Sequence, residues 1–326
     1  MKLATLADGS RDGTLLVVSA DGRRQSRAGA IAPTLQAAVD DWATVAPSLR
    51  ALAARLDAGG GDPLDPAALL APLPRAWQWL DGSAFTTHGT LMQQAFGHDP
   101  IATDRPLMYQ GLSHRFLAAQ QDVPFPSEAD GIDFEGEFGI ITDDVPMGCS
   151  AADALAHVVL IVLINDWSLR AIAPIEMKTG FGWVQAKPAC SMAPFAVTPD
   201  GLGDAWRHGR VCLPLRVEVN GSWFGDPDGG AMAVGFHDLI AHAARTRDLP
   251  AGTIIGSGTV SNPDYDRVGS TCLSERRVIE MLARGHAQTP FLSFGDRVAM
   301  TAGGAATFGR LDQRVVQAAM PGTAAV

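Results

Sequence analysis

The stretch GIDFEGEFGI, Gly131–Ile140, sets three acids at alternate positions in an apolar frame. In an extended chain successive side chains face opposite ways. Asp133, Glu135 and Glu137 are therefore expected on one face, with Phe134, Gly136 and Phe138 on the other. Two carboxylates two residues apart on a strand have Cα atoms roughly 6.5–7 Å apart. Their oxygens can converge on one hard ion at about 2.0–2.6 Å. Without a cation, like charges on a half-buried face repel and one pKa rises. A plainer role is open as well: a solvent-facing edge strand whose acids discourage aggregation.

Further acids occur where a site could gather them. VVLIVLINDWSLR carries a strongly buried strand that ends in Asn165 and Asp166, and polar residues there either line a site or start a turn. WLDGSAFTTHG places Asp81 shortly before His88, in a stretch that reads as a loop after an apolar segment. A site of Asp81, Glu135, Glu137 and Asp166 would be all oxygen, which suits a hard ion better than zinc. No HExxH and no Cys/His cluster competes.

Composition sets the outer bounds. The 326 residues are enough for one large domain with a small companion, and 47% hydrophobic content can fill a sizeable core. Net charge is −10, with no run of Lys and Arg, so a nucleic-acid partner is not expected. Cys149, Cys190, Cys212 and Cys272 are scattered and form no CxxC pair, as reduced thiols of a cytoplasmic protein would be. MKLATLADGSRDG lacks the apolar centre of a signal peptide, and the longest apolar run, Val158–Ile164, is too short to span a bilayer. No membrane partner is expected.

The chain divides near residue 75. KLATL, TLLVVSA and RRQSRA read as short strands joined by DGSRDG and DG turns. From Thr34 a helical period takes over, with Leu35, Val39, Trp42, Val45, Leu49, Leu52 and Leu56 at three- and four-residue intervals. DAGGGDPLDP then reads as a loop. A small β-plus-helix domain is expected at 1–75 and a larger domain at 76–326. The larger one is mostly strands, including FEGEFGIIT, VVLIVLIND, AGTIIGSGTV and a hairpin at VNGSW, where Asn-Gly favours the turn. Helices are expected at Ser150–Ala156, Gly235–Arg245 and Ser274–Ala283. The fold class is therefore α+β and β-dominated with mixed pairing, not a doubly wound sheet.

With these landmarks in order, the chain resembles the fumarylacetoacetate hydrolase family. The resemblance rests on DGSAFTTH, DFEGEFGIIT and NDWSLR, with PLMYQG, QAKPACSMAP, LPAGTIIGSGTVS and VGSTCLSERR, running from about residue 75 to residue 300. It implies a mixed β-sandwich roll, a homodimer and the small N-terminal domain of longer members. It also implies a divalent cation at Asp81, Glu135, Glu137 and Asp166: Mg²⁺ first, with Ca²⁺ or Mn²⁺ as alternatives. By the same resemblance His88 is the general base and Glu275 orients it, Lys187 stabilises oxyanion charge, and Arg170 lies near the leaving group. Tyr109 and Thr259 would contact substrate, with Lys187 and Arg170. Alternatives stay open: a helical 166–170 would make Arg170 an i,i+4 partner of Asp166, and Glu275 could be an exposed helix acid.

The implied reaction is hydrolysis of a C–C bond in a β-diketo acid, fumarylacetoacetate or a related acylpyruvate, by His-activated water with an enolate leaving group. Hydration or decarboxylation of a 2-oxo acid on the same fold is the alternative, and a non-catalytic cation-binding protein a further one. Two departures bear on the substrate. Gly97 and Ala173 stand where the resembling eukaryotic enzyme has an arginine and a glutamine that touch it. Gln185 or Glu176 are candidates to substitute.

Overall fold

The computed structural model describes residues 1–96 and 105–319. Its centre is the run Val158–Asn165, a strand whose eight residues are all buried. Such a run, apolar at every position, needs cover on both faces. It pairs antiparallel with Gly136–Thr142 on one side and with Ala196–Val197 and Ser191–Met192 on the other. The acid-bearing strand is thus internal and buried along its length, not a solvent-facing edge.

From this pair a sheet of eleven strands extends among the described residues. Beyond Gly136–Thr142 come Ile254–Gly256, then Trp79–Gly82 in parallel register, then Met108–Gly111. In the other direction Lys2–Leu6 pairs with Ala196–Val197 and carries Thr14–Val18, Arg24–Arg27 and Asp62–Pro63. The N-terminal β-plus-helix subdomain therefore continues the large sheet. A second sheet of five strands includes Leu215–Val219, Ser222–Gly225, Arg297–Ala302 and Leu311–Gln317. Its first two form the expected hairpin, with Asn220 and Gly221 both at positive φ (51° and 77°), as a type I′ turn requires.

Alternation assigns the two faces of the large sheet. Leu80, Phe138, Ile140, Ile161 and Leu163 meet Leu215, Val217, Val298 and Met300 of the second sheet in one core. Trp79, Ile141, Val162 and Ile164 face the other way, into a core shared with Leu35, Val39, Leu49, Leu52 and Leu56. Those five leucine and valine positions lie on helices Leu35–Asp40 and Trp42–Asp57, the first capped by Thr34, whose side chain accepts the Ala37 N–H. The architecture is α+β and β-dominated, a sheet sandwich with a helix layer. None of the described helices is long and apolar enough to cross a membrane.

The expected helices appear at Ala151–Ala154, Phe236–Ala243 and Leu273–Arg284. The loop expected around Asp81 and His88 is corrected: Asp81 lies on the strand Trp79–Gly82 and His88 on a helix, Thr86–Phe96. The Thr and Gly residues of TTHGT masked a segment whose ordering comes from tertiary packing, chiefly against Leu273–Arg284.

Candidate active site

Four carboxylates converge at one end of the large sheet. Asp81, Glu135, Glu137 and Asp166 are all buried, and each offers an oxygen within 4.8 Å of the others. Register explains the gathering. Glu137 and Asp81 lie on strands separated only by Ile254–Gly256, and Gly256 pairs with both Gly139 and Asp81. A Cβ on Gly256 would stand 2.3 Å from Asp81 Oδ1, so only glycine leaves room for that carboxylate. Asp81 Oδ1 accepts the Gly258 N–H at 3.2 Å. Glu135 sits just before its strand, bridged to Cys272, and its own N–H donates to Asn165 Oδ1.

The third acid of the opening motif goes elsewhere. Asp133 was expected on the same face as Glu135 and Glu137, but the strand is interrupted at Phe134 and Glu135 and its side chain turns away. Its Oδ1 accepts the N–H groups of Phe134 and Leu273, at 2.8 and 2.7 Å. Its Oδ2 accepts Ser274 N–H at 2.9 Å and Arg170 Nε at 2.8 Å. Asp133 thus anchors the N-terminus of the helix that carries Glu275, where a carboxylate satisfies otherwise unpaired donors.

Cations and donors wrap the cluster. Lys187 Nζ donates to Glu135 Oε2 and to Asp166 Oδ2, both at 2.6 Å. Tyr109 O–H donates to the same Asp166 oxygen at 2.6 Å, and Cys190 Sγ–H to the other at 2.9 Å. Arg170 Nη2 donates to Glu135 Oε1 at 2.5 Å. Arg170 therefore bridges Asp133 and Glu135, and the i,i+4 pairing with Asp166 does not occur because Ser168–Leu169 is a strand. Thr259 is buried next to Gly258, beside Asp81.

The electrostatics divide the acids. Burial, then the Asp166 charge, pushes Asp81 well above the usual carboxylate range; burial and Asp81 do the same to Glu137. Burial acts on Glu135 too, but Lys187 and Arg170 outweigh it and hold that carboxyl below its ordinary value. For Lys187, burial is outweighed by Asp166 and Glu135, and the ammonium stays charged. Both Glu137 oxygens are buried without a hydrogen-bond donor among the described residues. Orphaned buried acceptors of this kind, in an oxygen-only set carrying excess negative charge, fit a hard divalent cation. Asp81, Glu135, Glu137 and Asp166 would hold it.

A second array flanks the first. His88 Nδ1 lies 2.9 Å from Glu275 Oε2, and Glu275 is fully buried. With Nδ1–H facing a carboxylate, Nε2 is the nitrogen left to take a proton. Glu275 is no exposed helix acid. The structure brings together His88, Glu275, Lys187, Arg170, Tyr109 and the four acids, whereas Gly97 lies outside the described residues. Of the suggested substitutes, Glu176 is engaged: its carboxylate accepts N–H from Val184, Gln185 and Ala186 at 3.1, 2.9 and 3.0 Å. Gln185 is exposed and lines a separate groove with Pro124, Phe125 and Pro126. Sequence reasoning missed Cys190 and Trp183. The first was legible only as a lone thiol in QAKPAC, the second as an aromatic between glycine and the lysine motif.

Comparison with known proteins agrees with this geometry. Residues 78–316 match the fumarylacetoacetate hydrolase C-terminal family and residues 1–75 the fumarylacetoacetase N-terminal domain 2 family. A 2,4-didehydro-3-deoxy-L-rhamnonate hydrolase from a Sphingomonas species is 26% identical over 49% of this chain and 54% of its own length. A mitochondrial oxaloacetate tautomerase of Rattus norvegicus is 24% identical over 47% of this chain and 48% of its own. The chain thus spans about half the length of the curated relatives it matches. The structure of a Sphingobium maleylpyruvate hydrolase with manganese(II) and pyruvate superposes with a TM-score of 0.66 at 17% identity, covering 98% of this chain and 100% of that one. With its matched segment covering most of the sequence, its sheet sandwich and its carboxylate cluster, the chain belongs to the fumarylacetoacetate hydrolase family.

Proposed function

We propose that the protein is a divalent-metal-dependent hydrolase that cleaves a C–C bond of a β-diketo acid, an acylpyruvate or the related fumarylacetoacetate. The observation that carries this reading is the juxtaposition of two arrays: a buried four-carboxylate cluster whose Glu137 oxygens meet no nitrogen or hydroxyl donor among the described residues, and the His88–Glu275 pair beside it. Ion binding alone needs no buried His–Glu pair.

Bound at the four acids, the ion (Mg²⁺, or Mn²⁺ as in the Sphingobium enzyme's structure) would supply a Lewis acid toward the chelating oxygens of the diketo acid. The chain's own residues do the rest. Glu275 holds His88 by Nδ1, and Nε2 takes a proton from water while the oxygen adds to the acyl carbonyl carbon. Lys187, charged and fixed, offers an N–H to the developing oxyanion. The C–C bond breaks with its electron pair passing to the pyruvate fragment as an enolate, and the His88 imidazolium returns its proton to that carbon. Water and an acylpyruvate become a carboxylic acid and pyruvate; fumarylacetoacetate would give fumarate and acetoacetate by the same steps. Arg170 and Tyr109 fix Glu135 and Asp166, and Tyr109 and Thr259 border the substrate. A homodimer in the cytoplasm is part of the reading, and light scattering tests its assembly.

The test is pyruvate release from acetylpyruvate and fumarylpyruvate with Mg²⁺ or Mn²⁺, read by a coupled lactate dehydrogenase assay. One pyruvate per diketo acid consumed is expected. Metal binding without pyruvate from either compound would overturn the hydrolase. The relatives named oxaloacetate tautomerases favour a second reading, in which the same base only moves a proton between carbon and oxygen of a 2-oxo acid. Faster loss of enol-oxaloacetate absorbance without C–C cleavage would select it.

A further inference from the structure

Of the three acids in GIDFEGEFGI, Asp133 is the one the carboxylate cluster leaves out, and its contacts lead to the other array. The side chain is fully buried. It accepts from the N–H groups of Phe134, Leu273 and Ser274 and from Arg170 Nε–H. Leu273 and Ser274 open the helix Leu273–Arg284, and Glu275 is its next residue. Backbone donors at a helix start have no partner inside the helix. A buried carboxylate that takes two of them fixes where the first turn sits, and with it the side chain that follows.

The same turn is tied to both arrays. Glu275 N–H donates to Cys272 Sγ at 3.3 Å, and Cys272 forms a backbone bridge with Glu135. Ser274 Oγ–H reaches Met92 Sδ at 3.9 Å, one turn beyond His88 on the helix Thr86–Phe96. Arg170 refers the turn to the ion site, since it donates to Asp133 through Nε and to Glu135 through Nη2. An unbroken line of contacts thus runs from Glu135 through Arg170, Asp133 and the Leu273 and Ser274 N–H groups to Glu275. Its last link is the 2.9 Å approach of Glu275 Oε2 to His88 Nδ1.

We propose that Asp133 is a positioning residue for the general base: by fixing the first turn of Leu273–Arg284 against Arg170 and Glu135, it aims Glu275 at His88 Nδ1 and so leaves Nε2 free to take a proton. The inference rests on the reading of His88 as the base and deepens it. A carboxylate suits the task because every partner donates and both oxygens are engaged, Oδ1 by Phe134 and Leu273 and Oδ2 by Ser274 and Arg170. Asparagine has the same shape, but its NH₂ would face two donors whichever way the amide turned.

The test is Asp133→Asn in the full chain with saturating Mg²⁺, read in two ways. Nitrogen NMR shifts of the His88 ring show which nitrogen carries the proton, and the native neutral ring is expected as the Nδ1–H tautomer. In Asp133→Asn the proton is expected to redistribute toward Nε2, as in the reference variant Glu275→Gln. On acetylpyruvate, kcat is expected to fall about 10- to 100-fold with KM within about twofold, the cost of a misaimed base. A role in stability alone would lower the unfolding midpoint and move neither reading. Should Asp133→Asn not fold, Ser274→Pro compared with Ser274→Ala decides. Proline in the first turn removes an N–H without a helical partner, and alanine keeps it. The His88 proton is expected further toward Nε2 in the proline variant, and equal tautomers in the two would overturn the proposal. A native ring protonated on Nε2, or an Asp133→Asn variant in which the tautomer or kcat is unchanged, would also overturn it. If the native protein cleaves no diketo acid, the hydrolase falls and the His88 tautomer alone decides this inference, so the two failures are distinguishable.

Discussion

The floor and the roof of the site are built on opposite principles. The floor, Asp81, Glu135, Glu137 and Asp166, projects from or beside strands of the large sheet and is buried throughout. The roof, Ala173–Lys187, is a short helix and a glycine-hinged turn that exposes Ile175, Met177, Val184 and Phe181, the last at 97%. The floor concentrates charge that only a rigid, dry scaffold can hold together. The roof is pinned within itself by one carboxylate and three N–H groups and tied to the body by the Leu169 N–H on Ala186 O and the Trp183–Tyr109 ring contact. The carboxylate cluster thus rests on sheet register and its cover on a connecting segment, the usual division between scaffold and loop.

The comparison breaks most visibly at the floor. Glu137→Gln is expected to weaken Mn²⁺ binding at least about 100-fold in calorimetry and to lower kcat/KM by about 10³–10⁴, several kcal/mol of lost charge stabilisation. Near-native metal affinity in that variant would show that the ion is held elsewhere. His88→Ala comes next, with kcat down about 10²–10⁴ and Mn²⁺ affinity unchanged. A parallel loss of metal binding would merge the two arrays into one.

Asp133→Ala tests how the floor is tied to the helix that carries Glu275. It leaves Arg170 with Glu135 alone and frees the Leu273 and Ser274 N–H groups, so a stability loss of about 3 kcal/mol is expected in urea unfolding. An unchanged midpoint would make Asp133 dispensable to that anchor.

Glu176→Ala, at the roof, should have the smallest effect: a several-fold rise in KM, with kcat and metal affinity kept. Were it to weaken Mn²⁺ binding as Glu137→Gln does, floor and roof would not be separable. The pin also predicts a pH response. The Gln185 N–H, with those of Ala186 and Val184, holds the Glu176 carboxyl below its ordinary range. Its stabilising contribution is therefore complete above the ordinary glutamate pKa and lost as pH falls through the lower, folded value. The Val184, Gln185 and Ala186 N–H resonances of the native protein should shift only in that acidic window. Movement at neutral pH would assign them to another group.

Legibility from sequence followed the reach of local physics. The Val158–Asn165 strand, the Asn220-Gly221 hairpin and the helical period from Thr34 were visible because periodicity and turn chemistry act over a few residues. Glu135, Glu137 and Asp166 were legible as acids on or at the end of strands and Asp81 only as an acid of a loop-like stretch, and their order along the chain resembles a known family. The helix Thr86–Phe96 was missed, since its glycine and threonines are poor helix formers and its stability comes from packing against Leu273–Arg284. Asp133 was placed with Glu135 and Glu137 because alternation was assumed to run unbroken through an interruption that sequence does not mark.

By itself the sequence determined a β-dominated chain with Glu135 and Glu137 two residues apart on one face, because side-chain alternation is a property of any extended backbone. Only the tertiary structure decided that Asp81 meets Glu137 across a glycine, that Glu275 reaches His88 from 187 residues away, and that Trp183 packs edge-on against Tyr109. Those juxtapositions depend on which strands become neighbours and on burial, and burial is a property of the whole packed chain.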